Sequence, residues 1–209
     1  MKDISIIVPS NRPDLAVQAK KCLSGNFEVI IHDGANYPSF SKLINDCIVE
    51  AKHEIVIIVN HKIRAHVNHI LKMIDLLNTG YGLVCLQNFH FFGFKKDLIR
   101  KIGFFDERFL GGGYEDADFV RRLIENNIGF YDSTETMVLE MRSSWDKSRA
   151  ESWFYQKWKD GKLERLVSDE TYDYDIGSSR GSTFLDLSHT VLSKTNADYF
   201  NSIYFNFKK

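Results

Sequence analysis

The sequence contains few cysteines and no long apolar run, and both absences limit what the protein can be. Its three cysteines, Cys22, Cys47 and Cys85, are odd in number and lack a C-x-x-C spacing. This pattern argues against a disulfide framework or a zinc site and favours reduced, buried thiols in a cytosolic setting. No stretch approaches the roughly 18 apolar residues that a membrane-spanning helix needs, and the apolar run near the N-terminus is too short for a signal peptide. We therefore expect a cytoplasmic protein whose contact with a membrane, if it has one, is peripheral.

A strong net charge and the common nucleotide-binding loop motifs are also absent. The formal net charge of -1 at pH 7 offers no basic footprint, so we expect no nucleic-acid partner. The turn after the first apolar segment lacks G-x-G-x-x-G, which argues against a dinucleotide site. It also lacks the glycine-rich, arginine-containing signature of sugar nucleotidylyltransferases. With 44% hydrophobic and 26% charged residues among 209, the chain is expected to fold as one globular domain.

Short apolar segments alternate with amphipathic helical patterns along the first half of the chain. Predicted strands cover residues 4–8, 27–31, 55–59 and 83–87, and predicted helices begin near residues 13, 39, 66 and 96. This β-α-β-α-β-α order predicts an α/β fold with a mostly parallel central sheet flanked by helices. Segment 55–59 is entirely apolar, so we expect that strand to be buried on both faces. Further strands are predicted within 128–131 and 136–141.

Polar residues follow the first three predicted strands. Sheets of this kind bind ligands beyond the carboxyl ends of their strands, so these residues are candidates for binding a nucleotide-type donor. The candidates are Pro9, Ser10, Asn11, Arg12, Asp33, Asn60, His61 and Lys62. Asp33 can accept a hydrogen bond from a ribose hydroxyl or a base N–H, or it can form the turn before Gly34. Arg12 can pair with a phosphate, or it can be a solvated residue beside Pro13.

The most informative stretch is the run 103–123, GFFDERFLGGGYEDADFVRRL. Its amphipathic pattern predicts a helix that begins at about Glu115. By its spacing Asp116 shares the face that turns toward the protein body, whereas Asp118 precedes two arginines by three and four residues and is expected to form a surface ion pair. The predicted apolar stripe comprises Phe119, Val120, Leu123 and Ile124, and the predicted surface residues are Arg121, Arg122 and Glu125.

Three consecutive glycines, residues 111–113, precede this helix. Glycine has no Cβ, so its backbone can adopt unusual dihedral angles and let a ligand approach the main chain. The acids Glu115, Asp116 and Asp118 can complement the helix dipole without belonging to any site. Combined with the polar strand ends, however, the glycines and acids indicate an active-site loop that leads into a helix.

At these residues the sequence resembles GT-A fold glycosyltransferases, in particular the inverting family 2 and its galactosyltransferase-like relatives. It is also similar to the capsid-glycosylating domains of large algal viruses. The matching pattern is G-x-FDE-x-F followed by EDxDF and RL, and the resemblance covers roughly the first 145 residues. It implies transfer of a sugar from a nucleotide-diphosphate sugar, foremost a UDP-sugar, to an acceptor hydroxyl with inversion. It also implies Asp116 as the general base, with Glu115 beside it as the second catalytic residue.

The resemblance further implies an acid pair, D-x-D or similar, after the third strand, where it holds Mn²⁺ or Mg²⁺ against the diphosphate. This sequence has Asn60, His61 and Lys62 at that place instead. A lysine or arginine at the strand edge can replace the ion as a fixed cation, and Arg12 and Arg142 are further candidates for that role. Mn²⁺ or Mg²⁺ therefore stays an open alternative, with unknown ligands.

The same resemblance implies an acceptor side. Its candidate residues are Gly112, Gly113, Tyr114, Phe92 and Trp153. An aromatic ring can stack on the apolar face of a sugar, although core packing is the simpler interpretation of Phe92 and Trp153. The expected acceptor is a glycan or glycoprotein. We expect the donor half in residues 1–95, the acceptor and catalytic half in 96–145, and a C-terminal helix with an aromatic tail in 146–209.

Two other classes of protein stay open at this point. A catalytically inactive GT-A-like module that binds a sugar nucleotide or a glycan would explain why Asn60, His61 and Lys62 replace the acid pair. A nucleotidyltransferase would need the loop signature that is missing. Asp116 and the glycine loop favour the enzyme, and the sequence does not predict an oligomeric state.

Overall fold

The structure is a computed structural model that describes residues 4–23, 27–35, 37–109, 111–133, 137–138 and 154. Helices and strands alternate as the hydrophobic pattern predicts. In chain order the elements are β1 (Ile4–Ser10), α1 (Pro13–Cys22), β2 (Glu28–Asp33), α2 (Phe40–Glu50), β3 (Ile55–Val59), β4 (Ile63–Arg64), α3 (Val67–Asn78), β5 (Leu83–Gln87), β6 (Phe91–Lys95), α4 (Lys96–Ile102), α5 (Glu115–Glu125), β7 (Phe130–Asp132) and β8 (Met137–Val138).

Six of these strands form one sheet in the order β2-β1-β3-β6-β5-β7. Strand β1 pairs in parallel with β2 and β3, and β5 pairs in parallel with β7. Strand β6 runs antiparallel to both of its neighbours, β3 and β5. The short strands β4 and β8 form a separate antiparallel pair. The prediction of an α/β fold with a mostly parallel central sheet is therefore confirmed.

Hydrophobic burial places the sheet in the interior. Every residue of β1 is buried, and in β3 all but the first residue are buried, as expected for strands that are covered on both faces. On one face of the sheet, Ile6 and Ile57 belong to a buried cluster with Ala16 of α1 and Met73 of α3. Removing this apolar surface from water supplies the main driving force for joining helices to the sheet.

The helix boundaries follow local chemistry. Pro13 lies in the first turn of α1, where its missing N–H costs no helical hydrogen bond. Ser39 precedes α2, and its Oγ accepts the N–H of Lys42 at 3.1 Å, as an N-cap side chain does. After α3 the chain reaches Gly80, whose φ of 110° suits a residue without a Cβ.

Strand β6 is an element that the sequence analysis did not predict. It forms a hairpin with β5, closed by a hydrogen bond of 3.0 Å from the His90 N–H to the Gln87 carbonyl. Asn88 in that turn has a φ of 47°, a conformation that asparagine tolerates better than most residues. Within β6, a Cβ built on Gly93 would lie 2.5 Å from the sulfur of Met73 and 3.2 Å from the Val56 carbonyl oxygen, so a larger residue there would require neighbouring atoms to move.

The chain divides into two compact units. The first, which we call the sheet unit, comprises Met1–Asn36, Asp46–Leu98 and Leu123–Ser143, and the second, the glycine-loop unit, comprises Tyr37–Asn45, Ile99–Arg122 and Ser144–Lys209. All the described strands belong to the sheet unit, whereas the acids of the run 106–118 belong to the glycine-loop unit. None of the described helices is long and apolar enough to cross a lipid bilayer. Cys47 and Cys85 are buried, Cys22 is half-buried, and none of the three is in a disulfide.

Candidate functional site

The carboxyl ends of β1, β2 and β3 bring predicted donor-binding residues to one edge of the sheet unit. Each strand is followed or closed by a residue whose side-chain oxygen accepts the backbone N–H two positions later. These pairs are Ser10 with Arg12 at 2.9 Å, Asp33 with Ala35 at 2.9 Å, and Asn60 with Lys62 at 3.0 Å. Such turns are a common local role for serine, aspartate and asparagine.

Asp33 combines this turn with an accessible carboxylate. It is the register partner of Ser10, and the next residue, Gly34, donates its N–H to the Ser10 carbonyl at 2.8 Å. Asp33 is exposed, and its Oδ2 has no hydrogen-bond partner among the described residues. Asp33 therefore does form a turn, as one of the two alternatives predicted. Its second carboxylate oxygen can still accept a hydrogen bond from a ligand.

The tripeptide after β3 is held in a tight turn. The Ile63 N–H donates to the Asn60 carbonyl at 2.9 Å, and the Asn60 side chain closes the same turn on the Lys62 N–H. His61 is only 8% exposed, and its Nδ1 lies 3.4 Å from the carbonyl oxygen of Pro9. The imidazole therefore connects the ends of β1 and β3, while the Lys62 side chain is half-buried.

Arg12 lies on the exposed side of this edge, as does Asn11. Its guanidinium forms an ion pair of 3.0 Å with Asp14. The hydrogen bond from Arg12 holds the pKa of the Asp14 carboxyl below its ordinary value. The pair is open to solvent on both sides, so it contributes little to stability.

The same edge carries two polar residues that the sequence analysis did not single out. Asn88 follows β5, and Asp132 ends β7, a strand parallel to β5. Burial raises the pKa of the Asp132 carboxyl, and backbone N–H groups of Ser133 and Asn88 offset that shift only in part. No apolar run marked Asp132, because β7 is short and partly exposed, and Asn88 was not predicted although it follows the predicted strand 83–87.

In the glycine-loop unit, α5 begins at Glu115 as predicted. The residues before it adopt positive φ values: Gly111 at 75°, Gly113 at 110° and Tyr114 at 66°. The prediction of unusual glycine dihedrals is thus confirmed at Gly111 and Gly113. Glu115 is 7% exposed, and its carboxylate accepts the N–H of Gly113. This side chain therefore holds the glycine loop against the first turn of its own helix.

The glycine loop is also tied to the segment before α2. Gly111 forms a β-bridge with Ser39. The Phe40 N–H donates to the Gly111 carbonyl at 2.8 Å, and the Gly111 N–H donates to the Pro38 carbonyl at 3.2 Å. At the other end of the loop, the ring of Tyr114 lies 5.4 Å from that of Phe154. The loop is therefore held by backbone contacts at Gly111 and by a ring contact at Tyr114.

Asp118 differs from its prediction as a surface ion-pair residue. It does pair with Arg122, but Asp118 is fully buried and Arg122 is 1% exposed. The Arg122 Nε donates to the Asp118 Oδ2 at 3.0 Å, and its Nη1 donates to the carbonyls of Ile102, Gly103 and Phe104. Ile102 is the last residue of α4 and the other two follow it, at a helix end where helical partners are missing. The prediction for Asp118 and Arg122 as surface residues is wrong, because Arg122 is used to cap another helix.

The apolar stripe of α5 also needs correction. Phe119 and Leu123 are fully buried as predicted, but Ile124 is 52% exposed. The ring of Phe119 stacks on Phe105 at 4.3 Å with an interplanar angle of 9°, and the Arg122 guanidinium lies 5.1 Å from the centre of the Phe119 ring. The buried face of α5 is therefore turned toward Phe105 and away from Ile124.

Residues 105–108, FDER, form a turn that is held by a buried ion pair and by hydrogen bonds from α2. Asp106 and Arg108 form a buried ion pair of 2.5 Å, with each side chain 1% exposed. Asn45 of α2 donates through Nδ2 to the Phe105 carbonyl at 2.8 Å and to the Glu107 Oε1 at 2.9 Å, and its Oδ1 accepts the Phe105 N–H at 3.0 Å. Asn45 is not predictable as a partner of this turn from the sequence, because nothing in α2 alone signals a partner 60 residues away.

The carboxylate of Asp116 has fewer partners among the described residues than those of Asp106 and Asp118. It is half-buried, its Oδ1 accepts the Ala117 N–H at 2.8 Å, and its Oδ2 has no hydrogen-bond partner among the described residues. Asp118 and Asp106 are instead closed into buried ion pairs with arginines. Of the carboxylates in the run 106–118, Asp116 is thus the one whose geometry suits proton transfer to or from a ligand.

The predicted acceptor residues have different outcomes. Gly112, Gly113 and Tyr114 lie in the ordered loop described above. Phe92 is fully buried in β6, where its ring lies 4.9 Å from that of Phe89. We correct its assignment to core packing, since a ring with no exposed face cannot stack on a sugar. Trp153 and Arg142 lie outside the described residues.

A divalent cation does not fit the described residues. No group of three or more His, Cys, Asp or Glu side chains among them could hold a metal ion. At the end of β3, the side-chain oxygen of Asn60 is engaged by the Lys62 N–H. Mg²⁺ and Mn²⁺ prefer anionic oxygen ligands, and the Lys62 ammonium would repel either ion.

Comparisons with known proteins give likenesses in structure only. No protein-family model and no curated protein matches the chain. The catalytic domain of Drosophila β1,4-galactosyltransferase 7, solved with xylobiose, is similar over 70% of this chain and 75% of that one, with a TM-score of 0.52 and 13% identity. Glucosyl-3-phosphoglycerate synthase from Mycobacterium tuberculosis, solved with Mn²⁺, UDP and glucosyl-3-phosphoglycerate, is similar over 67% and 72%, with a TM-score of 0.51 and 11% identity. A mannosyltransferase from Pyrobaculum calidifontis, solved with GDP-Man and Mn²⁺, is similar over 99% and 86%, with a TM-score of 0.56 and 12% identity.

The chain therefore has the GT-A type of α/β fold, which these three glycosyltransferases share. At identities this low the likeness defines the fold, and the reaction has to be argued from the site.

Proposed function

We propose that this protein is an inverting glycosyltransferase that moves a sugar from a nucleoside-diphosphate sugar to an acceptor hydroxyl. The observation that carries the proposal is the carboxylate of Asp116, half-buried in the first turn of α5 and with its Oδ2 unpartnered among the described residues. A general base needs a carboxylate that can still accept a proton from a substrate, and the ion-paired acids Asp106 and Asp118 do not offer one. The GT-A fold supports the class of reaction.

In the proposed step, Asp116 takes the proton of the acceptor hydroxyl while that oxygen attacks the anomeric carbon. The new C–O bond forms on the face opposite the diphosphate, whose own bond to the anomeric carbon breaks. The diphosphate leaves with the bonding electron pair, and the configuration inverts. The base acts by being held within reach of the attacking oxygen. Glu115, which binds the Gly113 N–H, is a positioning residue in this scheme.

The donor half of the site is assigned to the strand ends of the sheet unit. The exposed Oδ2 of Asp33 can accept a hydrogen bond from a ribose hydroxyl or a base N–H, and a UDP-sugar is our first candidate donor. Pro9, Ser10, Asn11 and Asn60 line the same edge. We assign the acceptor, a glycan or glycoprotein, to Gly112, Gly113 and Tyr114, together with Trp153. We also propose that the protein is related to the inverting family 2 or to the capsid-glycosylating domains of large algal viruses. Its proposed location is cytoplasmic.

A matched pair of variants on α5 tests the role of Asp116. UDP-, GDP-, dTDP- and CMP-sugars are first screened by thermal shift, and release of sugar and nucleotide is then followed with each binder. Asp116→Asn should reduce turnover about 100-fold or more, since it removes a general base, and should change donor affinity less than about threefold. The control Glu125→Gln alters an exposed acid on the same helix and should keep wild-type turnover.

The outcomes separate the proposal from its alternative. Collapse of donor affinity in Asp116→Asn with unchanged turnover at saturation would assign Asp116 to donor binding and overturn its role as the base. Binding of a sugar nucleotide by the wild type, with no turnover toward any acceptor or water, would favour the inactive binding module.

A further inference from the structure

The turn between β5 and β6 presents an asparagine side chain to solvent. Asn88 is exposed, with a φ of 47°. Its backbone carbonyl accepts the Phe91 N–H at 3.3 Å, whereas its side-chain amide has no hydrogen-bond partner among the described residues. An amide can both donate and accept hydrogen bonds, so this side chain can contact a ligand group that does the same.

The same turn fixes a carboxylate. The Asn88 N–H is hydrogen-bonded to the carboxyl of Asp132, the last residue of β7. Asp132 is nevertheless exposed, so its carboxylate is positioned by the backbone and can still be reached by a ligand. Burial raises the pKa of this carboxyl by more than the N–H groups of Ser133 and Asn88 lower it. Carboxyl groups perturbed in this way occur often in ligand sites.

An aromatic ring lies on the same face of the sheet as Asp132. Cys85 of β5 pairs in register with Asp132 on one side and with Phe92 on the other, and directly opposed residues share a face. The half-buried ring of Phe89 lies 4.9 Å from the ring of Phe92. A carboxylate, an amide and an aromatic ring on one face suit a sugar, whose hydroxyls form hydrogen bonds and whose apolar face packs on a ring.

This turn adjoins the strand ends that we assign to the donor. Asn60, which follows β3, donates its N–H to the carbonyl of His90 at 2.8 Å. Strands β3, β5 and β7 run in the same direction, because β6 is antiparallel to β3 and β5, so their carboxyl ends share one edge. From Asp33 at the end of β2, that edge continues past β1 and β3 to Asn88. A nucleotide sugar with its nucleoside at Asp33 and its diphosphate at β1 and β3 would extend its sugar toward this turn.

We propose that Asn88, Phe89 and Asp132 form the subsite for the transferred sugar of the donor. Asp132 and Asn88 bind hydroxyls of that sugar, and the Phe89 ring lies against its apolar face. The inference rests on the proposed function, because it concerns the same nucleotide sugar. Since a site built around hydroxyls leaves polar groups unpaired when a hydroxyl is missing, these residues determine which donor sugar is accepted.

Calorimetry on the full chain tests the subsite. UDP, UDP-glucose, UDP-galactose, GDP and GDP-mannose are titrated in Mn²⁺-containing buffer into the wild type, Asp132→Asn and Asn88→Gly. Glycine suits the positive φ of position 88, so Asn88→Gly removes the amide without straining the turn. For the nucleotide sugar that the wild type binds best, Asp132→Asn should weaken binding about tenfold or more, and Asn88→Gly about fivefold. Binding of UDP or GDP alone should change less than about twofold.

Two matched controls in the sheet unit accompany these variants. Asp75→Asn makes the same change as Asp132→Asn at an exposed position of α3. Asn127→Gly replaces another exposed asparagine of positive φ, 54°. Both controls should bind every nucleotide and nucleotide sugar as the wild type does.

The comparison of nucleotide with nucleotide sugar separates the outcomes. An equal loss for both ligands in Asp132→Asn and Asn88→Gly would show that these side chains act on the nucleotide or on the fold, and would overturn the inference. Unchanged nucleotide-sugar affinity in both variants would also overturn it, while leaving the proposed function intact. A wild type that binds none of the five ligands would overturn the proposed function itself, and the subsite with it.

Discussion

The Asp118 carboxylate and the Arg122 guanidinium form a buried ion pair of 3.0 Å one turn apart on α5. Arg122 also donates to the carbonyls of Ile102, Gly103 and Phe104, so the pair joins α5 to the C-terminal end of α4 and the residues after it. A buried pair of this kind leaves an uncompensated charge when one partner is removed. The Asp118–Arg122 pair therefore has a structural role. It does not involve the carboxylate of Asp116.

Removing one partner of this pair should destabilise the protein strongly. We expect Asp118→Asn to lower the free energy of unfolding by about 3–5 kcal/mol, measured by urea denaturation. The same change in a solvent-exposed pair would cost at most about 1 kcal/mol. Glu125→Gln, on the exposed side of α5, is the control and should stay within about 0.5 kcal/mol of wild type. A loss below about 1 kcal/mol for Asp118→Asn would contradict its burial.

Part of this architecture is predictable because local patterns decide it. The apolar run 55–59 is bounded by polar residues, and β3 forms over those residues and is buried as expected. The start of α5 at Glu115 is likewise set by the change from glycines to an amphipathic pattern. The strand ends could be located for the same reason, since a parallel sheet fixes which ends share an edge.

Contacts between distant segments decide what the sequence could not show. The spacing of Asp118 and Arg122 is the same for a surface pair and a buried one, and the difference arises from the carbonyls at the end of α4. Asn45 finds its partners near Phe105, far along the chain. Gly93 of β6 lies close to Met73 of α3, a fit between two elements that no single segment encodes.

The environment of Cys47 predicts selective thiol reactivity. Burial raises the pKa of the Cys47 thiol, and the nearby acids Glu50 and Asp46 raise it further. A thiol in this state forms little thiolate and is shielded from reagents. In the native protein at mildly alkaline pH, we expect a disulfide reagent such as DTNB to titrate Cys22 alone, and all three cysteines to react after denaturation.

Cys22→Ser provides the matched control for that experiment. The native variant should show almost no reaction, while the denatured variant should show the two thiols of Cys47 and Cys85. Rapid reaction of more than one thiol in the native wild type would contradict the buried positions.

Glu28 should make the free energy of unfolding depend on pH. Burial by itself would raise the pKa of its carboxyl, but hydrogen bonds from Ser5 and Lys52 outweigh that effect and leave the pKa lowered. A lowered folded-state pKa means that Glu28 stabilises the protein above its unfolded-state pKa and loses that contribution as pH falls through the folded-state value. The loss should begin below the ordinary glutamate pKa of about 4.3.

Urea denaturation of Glu28→Gln at two pH values checks this sign. Near pH 7 the variant should be less stable than wild type by about 1 kcal/mol, the usual worth of a hydrogen-bonded carboxylate. Near pH 3 the difference should shrink, because the wild-type carboxyl is then becoming protonated. A difference that widens toward acid pH would mean that Glu28 is not stabilised in its ionised form.

Asn45 provides the last test, because its hydrogen bonds require an amide. The Nδ2 group donates to the Phe105 carbonyl and to Glu107, and the Oδ1 accepts the Phe105 N–H. Asn45→Asp keeps the shape but replaces both donated bonds with repulsion inside the protein. We expect it to destabilise the chain by about 3 kcal/mol or more at neutral pH, as when a buried charge is left uncompensated.

The loss in Asn45→Asp should become smaller at mildly acidic pH, where protonation of the new carboxyl restores a donor. Asn68→Asp makes the same chemical change at an exposed position of α3 and should stay within about 0.5 kcal/mol of wild type at either pH. If the two substitutions lowered the free energy of unfolding equally, the hydrogen bonds from the Asn45 amide to Phe105 and Glu107 would not be important for stability. A large loss confined to Asn45→Asp would instead identify α2 as the element that fixes the FDER turn, and through the stacked rings of Phe105 and Phe119 the helix that carries Asp116.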